Sequence, residues 1–324
     1  MKDKILTMLR GQDEYVSGQQ ICKELGVSRT AVWKVINQLK EEGYVIEAVS
    51  NKGYVLRESP DIVANYELKS RMPEVSLIDT IISYSEVEST NNKAKELACD
   101  HKENMLIVAD KQLAGRGSKG RSWCSPKGEG IWMSLLCHPT IAPVHASRVT
   151  LIAALAVSKA IWEVSGLKPQ IKWPNDILLN QRKVCGILTE MSSEIDYIHH
   201  IIVGIGINVH TLEFQGELKE KATSIALEGK TVSRSDVIGK IVEHFDRYYK
   251  EFLKTEDLSS FLEEYNDLLV HRDKVIQVLS LNERQEGIAK GIDAEGRLLL
   301  ELPDGLIKPI ISGEVSVRGL HGYI

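Results

Sequence analysis

Gly115-Arg116-Gly117-Ser118-Lys119-Gly120-Arg121-Ser122-Trp123 sets three glycines and three cations in the seven residues from Gly115 to Arg121, then ends on an indole. No apolar core needs that composition. Glycine lets backbone N–H groups approach a ligand closely. Arg and Lys attract anions, and the Arg fork matches phosphate oxygens. The loop therefore asks for a phosphate or a carboxylate. Alone, it fits a solvated basic surface loop equally well. It becomes specific beside a second segment, Lys172-Trp173-Pro174-Asn175-Asp176, followed by Arg182-Lys183 and Gly186-Ile187-Leu188.

The bulk of the chain bounds what surrounds these segments. A length of 324 residues predicts two or three domains. With 43% hydrophobic and 26% charged residues, the composition is that of an ordinary globular protein. A net charge of −5 carries no global nucleic-acid signature, so any DNA contact must be local. Cys22, Cys99, Cys124, Cys137 and Cys185 are scattered without a CxxC pair. That argues against a zinc site or disulfide framework and fits a reducing, cytoplasmic setting. Met1-Lys2-Asp3-Lys4 opens no long apolar stretch, so no signal peptide is expected. The apolar run at 151–157 is too short to span a bilayer, so no membrane partner is expected.

Upstream, residues 3–57 read as helix, helix, helix, hairpin. Ile5, Leu6 and Leu9 give the first helix an apolar face. Ser17 can cap the second, with Gln20 at the capping-box position, and Gly26 can end it. Ser28 can cap a third carrying Val32, Val35, Ile36 and Leu39 at helical spacing. Two short strands then flank Ser50-Asn51-Lys52-Gly53. This order predicts a winged helix-turn-helix over residues 1–60. Its candidate DNA contacts are Gly18, Ser28, Arg29, Thr30, Trp33, Lys34 and Asn37, with Lys52 at the wing tip. A small helical interaction module with a polar face is the alternative.

Glu58-Ser59-Pro60 reads as a linker to a mixed α/β region over 65–270. Strands are expected at 105–112, 131–138, 171–173, 177–179, 184–191 and 200–209. Helices are expected from Ser89 to about Cys99, over 143–165, from Ser233 to about Leu253, and over 258–269. From Arg272 onward, five short stretches separated by Gly turns predict a small β-barrel over 271–324, with strands at 275–279, 286–292, 297–302, 306–311 and 313–318.

Taken in this order, the winged helix, the glycine loop, KWPND, RK-x-x-GIL, Gly204-Ile205-Gly206-Ile207-Asn208-Val209 and the terminal SGEVSVRG resemble bifunctional biotin–protein ligases and biotin-operon repressors of the BirA type. The resemblance covers nearly the whole chain. It implies an α+β multidomain fold: the winged helix, a central ligase domain like that of class II aminoacyl-tRNA synthetases, and an SH3-like C-terminal barrel. It implies that ATP and Mg2+ activate biotin to biotinyl-5′-AMP, and that the biotinyl group passes to a lysine on the carboxyl carrier protein of acetyl-CoA carboxylase or a related carboxylase. It also implies a homodimer, promoted by the adenylate, on biotin operator DNA.

By that resemblance Lys183, Arg116 and Asp176 are catalytic. Lys183 would stand between carboxylate and α-phosphate, although a hairpin-surface lysine fits its position too. Asp176 would orient Lys183, position magnesium, accept a proton, or serve as a structural ion-pair partner. Biotin would be held by Ser89, Thr90, Asn91, Gln112, Gly115, Arg116, Gly117, Ser118 and Lys183. Gly186, Gly204 and Gly206 would let strands approach it closely. Ser89 and Thr90 fit a plain helix N-cap as well. The nucleotide would meet Arg116, Lys119, Arg121, Trp123, Asn175, Lys183 and Asn208, with residues 213–226 covering the adenosine. Trp123 and Trp132 are candidate apolar walls, and core packing fits Trp132 equally. The glycine loop is expected to be mobile until ligand orders it.

Many members of the family carry Arg directly after the second glycine of the loop, where this chain has Ser118. The expectation is a weaker hold on the adenylate. Three rival readings remain: a lipoate-type ligase, a biotin sensor without ligation, and a ligase whose N-terminal domain does not bind DNA.

Overall fold

Local signals build the first domain. The computed structural model describes residues 1–279, 284–311 and 316–319. In it α1 (Lys2–Leu9), α2 (Gly18–Leu25) and α3 (Arg29–Glu41) bury Ile5, Leu6, Leu9, Ile21, Val32, Val35, Ile36 and Leu39 in one cluster. Both expected caps form: Ser17 Oγ accepts from the Gln20 amide at 3.1 Å and Ser28 Oγ from the Ala31 amide at 3.2 Å. Each cap satisfies an orphan N–H and contributes about 1 kcal/mol. Gly26 ends α2 in the left-handed region.

The wing pairs β1 (Val45–Val49) with β2 (Gly53–Glu58), and Tyr54 bridges back to Val16. Gly53 has a φ of +126°, and a Cβ there would lie 2.0 Å from the Val16 carbonyl oxygen. Gly53→Ala is therefore expected to destabilise the winged helix by about 2 kcal/mol or more. Urea unfolding of the full chain, followed through this domain, should show an earlier transition; coincident transitions would refute the expectation.

Elements that went unforeseen after the linker include α4 (Asn65–Lys69) and β3 (Thr80–Tyr84). Each has five residues, too few for periodicity to show. The chain continues through α5 (Thr90–Asp100), β4 (Met105–Ala109), β5 (Gly130–Cys137), α6 (Arg148–Ser165), β6 (Gln170–Lys172), β7 (Asp176–Leu179), β8 (Arg182–Ser193) and β9 (Ile198–Asn208). The seven strands order as β3-β4-β5-β9-β8-β7-β6; β3 and β4 are parallel and the other pairs antiparallel. Alternation assigns the two faces. Met105 and Ile107 pack against Ala94 and Ala98 of α5, while Leu106 and Val108 face the core that contains α6.

The helix expected over 143–165 is divided: a 3-10 turn at Pro143–His145 precedes α6, which ends at left-handed Gly166. By length and composition Pro143–Ser165 is apolar enough to cross a membrane, but 72% of its apolar window is buried inside the protein. It is a core helix, packed against α8 (Arg234–Thr255), whose N-cap is Ser233 as expected. The short α7 (Leu218–Lys221) precedes α8. The helix expected over 258–269 is a 3-10 turn, Ser259–Phe261, followed by α9 (Leu262–Leu268).

The last domain is a five-stranded antiparallel sheet of β10 (Val275–Leu279), β11 (Arg284–Ile292), β12 (Leu298–Glu301), β13 (Ile307–Ile310) and β14 (Ser316–Gly319). The order is β13-β12-β11-β10-β14, so among the described residues the ladder has two edges rather than a closed ring. Residues 313–315 of the strand expected at 313–318 lie outside the described residues. Ile276, Val278, Leu298 and Leu300 join the same core as the central domain.

Candidate active site and nucleic-acid interface

The floor of the cleft is glycine on adjacent strands. Gly186 on β8 faces Gly206 on β9. A Cβ on Gly204 would lie 2.3 Å from Asn91 Oδ1, one on Gly206 2.6 Å from Trp123 Nε1, and one on Gly186 3.0 Å from Lys183 Cε. The expectation was close strand approach to a ligand. Here the space admits three of the protein's own side chains.

One end of the cleft is polar. The Thr90 amide and hydroxyl donate to Gln112 Oε1 at 2.8 and 3.1 Å, and Gln112 Nε2 donates to Ser125 Oγ at 2.9 Å. Ser134 Oγ donates to Asn91 Oδ1 at 2.6 Å, and Asn91 Nδ2 donates to Glu190 Oε2 at 2.8 Å. Ser89 is buried at the N-cap position of α5 but makes no side-chain capping bond there. Ser125, Ser134 and Glu190 were not singled out from sequence. Nothing local marks them, since each matters through a partner more than ten residues away. Burial pushes the Glu190 carboxyl up, but bonds from Lys95 and Asn91 and the nearby cations outweigh it and hold it below the usual range.

The other end is cationic. Asn180 and Gln181 both take positive φ, the geometry of a tight hairpin turn, and so place Lys183 on a strand rather than in the turn. Lys183 Nζ pairs with Asp176 and stands 5.2 Å from the centre of the Trp123 ring. Asn175 Nδ2 donates to the Ile187 carbonyl at 2.8 Å, which ties the KWPND segment to β8. Trp173 and Trp132 are core residues, each 1% exposed, donating to the carbonyls of Gly296 and Pro126.

The glycine loop closes on itself. The Gly117 amide donates to the Arg121 carbonyl at 2.7 Å and the Trp123 amide to the Gly115 carbonyl at 2.8 Å. These backbone bonds draw the loop into a hairpin and offset part of the entropy of its glycines. Gly115 serves the turn itself, because a Cβ would lie 2.3 Å from the Trp123 carbonyl oxygen. Arg116 lines the cleft but bonds sideways, to Asn92 Oδ1 at 3.1 Å and near Glu190 Oε1 at 3.4 Å. Arg121 is exposed, bonds to Ser118, and does not line the cleft. The Lys119 side chain lies outside what the structure describes.

Ser89, Thr90, Asn91, Gln112, Gly117 and Ser118 line one cleft together with Trp123, Asn175 and Lys183. Asn208 does not. Its amide donates to the Thr223 carbonyl at 3.0 Å, which holds residues 222–225 beside Lys183. Asn208, expected at the carboxylate or phosphate end, here braces that segment. The cleft volume is about 40 Å³, room for a few waters.

On the winged helix, Arg29, Thr30, Trp33 and Lys34 are exposed and Asn37 is half-buried. Trp33 is 58% exposed, unusual for an indole without a partner. Ser28 caps α3, and Gly18 starts α2 where an added Cβ would lie 3.6 Å from the Tyr54 ring. Lys52 is exposed at the wing tip.

Comparison with known proteins places these surfaces in context. The Biotin/lipoate A/B protein ligase family matches residues 84–208, an HTH domain matches 2–55, and the biotin protein ligase C terminal domain matches 273–318. The chain is 40% identical to the bifunctional ligase/repressor BirA of Bacillus subtilis (strain 168), over 98% of both chains. It is 28% identical to the protein of that name from Escherichia coli (strain K12), over 98% of this chain and 99% of that one. The biotin protein ligase from Aquifex aeolicus, solved in complex with biotin and ATP, superposes with a TM-score of 0.66 at 31% identity, covering 75% of this chain and 100% of that chain.

Proposed function

Because the chain belongs to the family of bifunctional ligase/repressor proteins typified by BirA, we propose that this polar-to-cationic cleft carries the biotin chemistry, with Lys183 and Arg116 in its lining and Asp176 paired to Lys183. The protein is a biotin–protein ligase and a repressor, and it uses biotin and ATP. The supporting observation is the cleft itself, which gathers Gln112, Trp123, Asn175 and Lys183 from separate segments.

In the first half-reaction a biotin carboxylate oxygen attacks the α-phosphorus of ATP. The bond to pyrophosphate breaks and biotinyl-5′-AMP forms. Two anions must meet, and a fixed ammonium in a water-poor cleft lowers that repulsion and stabilises charge on the phosphoryl oxygens. Lys183 supplies it, and Asp176 orients Lys183 through their ion pair. Thr90, Asn91 and Gln112 offer hydrogen bonds to the ureido ring. Arg116 leaves Asn92 and Glu190 to meet the phosphate, with Lys119 and Arg121 following as the loop closes. In the second half-reaction the amine of a carrier lysine attacks the biotinyl carbonyl carbon, and AMP leaves. The carrier is the carboxyl carrier protein of acetyl-CoA carboxylase or a related enzyme.

Among the described residues no group of three or more His, Cys, Asp or Glu could hold a metal. Mg2+ would therefore arrive on the triphosphate, its usual ligand, with Asp176 as the carboxylate at hand. Adenylate-dependent homodimerisation would set two α3 helices on an inverted repeat, provided the adenylate binds the dimer more tightly than the monomer.

Ser118 carries a further prediction. It accepts from Arg121 rather than adding a cation to the loop. Ser118→Arg is expected to slow adenylate dissociation by roughly 5–10-fold, the worth of one exposed charge-assisted bond. Unchanged dissociation in a chase experiment would refute it.

The function is tested by incubating the protein with ATP, magnesium and biotin, with and without a carboxyl carrier domain, and following adenylate and carrier mass. The same samples are then applied to DNA bearing an inverted repeat upstream of biotin genes. Biotinylated carrier and adenylate-dependent DNA retention are expected. Absence of adenylate, or preferential incorporation of labelled lipoate, would overturn the assignment of the cleft.

A further inference from the structure

Glu67 lies on α4, between the winged helix and the central domain, and is 0% exposed. Its two carboxylate oxygens divide their partners by domain. Oε2 accepts from Arg10 Nη2 at 2.6 Å and from the Tyr44 hydroxyl at 2.6 Å, both in the winged helix. Oε1 accepts from Arg71 Nε at 2.8 Å and from the Ser235 hydroxyl at 3.2 Å, and Ser235 stands in the first turn of α8. Burial, then the bond to Glu67, pushes the Tyr44 hydroxyl up, which keeps it a donor. Burying a carboxylate among guanidinium groups carries a desolvation cost that packed apolar side chains would avoid. What it supplies is direction: Oε2 reaches the winged helix through Arg10 and Tyr44, and Oε1 reaches α8 through Ser235 while the neighbouring Arg71 braces it.

The preceding residues are fixed to the same place. Asp61 Oδ1 accepts from the Arg234 amide at 2.7 Å and Asp61 Oδ2 from Arg234 Nε at 2.8 Å. Arg234 Nη1 also donates to Asp110 Oδ1 at 2.7 Å, and Asp110 lies two residues before Gln112 of the cleft. Asp61 and Glu67 thus bind consecutive residues at the start of α8. The segment that follows the Glu58-Ser59-Pro60 linker is tied to α8 at two points.

We propose that Glu67 is the joint that fixes the DNA-binding module on the catalytic domain, a positioning residue for operator binding that touches neither DNA nor biotin. The proposal rests on the reading of the winged helix as the DNA-binding module. Two recognition helices in a dimer must match one half-site spacing. A loose joint populates many spacings, and apparent affinity falls by the fraction that is competent.

The test compares the full chain with Glu67→Gln, which offers an amide N–H₂ to one donor pair, and with the one-sided cuts Tyr44→Phe and Ser235→Ala. Small-angle scattering reports the interdomain arrangement. Operator retention is measured with biotin and ATP on the natural repeat and on repeats lengthened by one or two base pairs. Glu67→Gln is expected to raise the radius of gyration and to weaken retention by about tenfold, with adenylate formation within roughly twofold of wild type. Its discrimination between natural and lengthened repeats should shrink, an effect that general destabilisation would not produce. Tyr44→Phe and Ser235→Ala should move the same readouts less. Unchanged scattering and spacing discrimination, or a parallel loss of ligation and DNA retention, would overturn the proposal. If Glu67→Gln does not fold, the two one-sided variants decide by the same criteria. If the wild type itself retains no DNA, the repressor reading fails and the scattering profiles alone decide the joint.

Discussion

Replacing Lys183 by methionine is expected to slow formation of biotinyl-5′-AMP by about 10²–10³-fold, the usual cost of removing one preorganised group from a developing oxyanion. Methionine keeps most of the stem and removes the charge. The ammonium contributes most when the carboxylate and phosphate meet, so biotin affinity should change far less than the rate of this step. The geometry supports this separation. Lys183 is fixed on β8, paired with Asp176 and set against the Trp123 ring, while Thr90, Asn91 and Gln112, proposed to meet the ureido ring, hold hydrogen bonds of their own. Single-turnover adenylate formation and equilibrium biotin binding, measured on the same preparation, separate the two quantities. A rate loss below tenfold, or a loss confined to biotin affinity, would remove Lys183 from the reacting centre.

Gly204→Ala should weaken biotin binding by roughly 10–100-fold, from overpacking a fully bonded site. The added Cβ would lie 2.3 Å from Asn91 Oδ1. Asn91 cannot simply rotate away, because Ser134 donates to its oxygen and its nitrogen donates to Glu190. Either the strand shifts or Asn91 leaves, and both disturb the polar end of the cleft. Calorimetric titration with biotin measures the effect. Wild-type affinity in Gly204→Ala would show that this end does not hold the ligand.

Legibility followed the range of the interactions. The caps at Ser17 and Ser28 bond three residues ahead, and the apolar stripes of α1 to α3 repeat every three or four residues. Such signals lie wholly within a short window. β4 was legible as a largely apolar run and β5 as a partly alternating one, though both are buried along their whole length. The loop from Gly115 to Trp123 stood out because no apolar core needs its glycines and cations together. α4 and β3 were too short for a pattern, and their placement comes from packing.

The site itself divides in the same way. Composition made the glycine loop a candidate anion site, and the family resemblance, not any local pattern, put Lys183 and Gln112 forward as candidates beside it. Only the tertiary structure decided which neighbours they have. It gave Arg116 to Asn92 and Glu190, turned Asn208 toward Thr223, set Trp123 against Gly206, and joined Glu67 to Ser235. Those contacts depend on strand register and helix packing. A one-residue change of register would send each strand side chain to the opposite face, so no local stretch of sequence contains them.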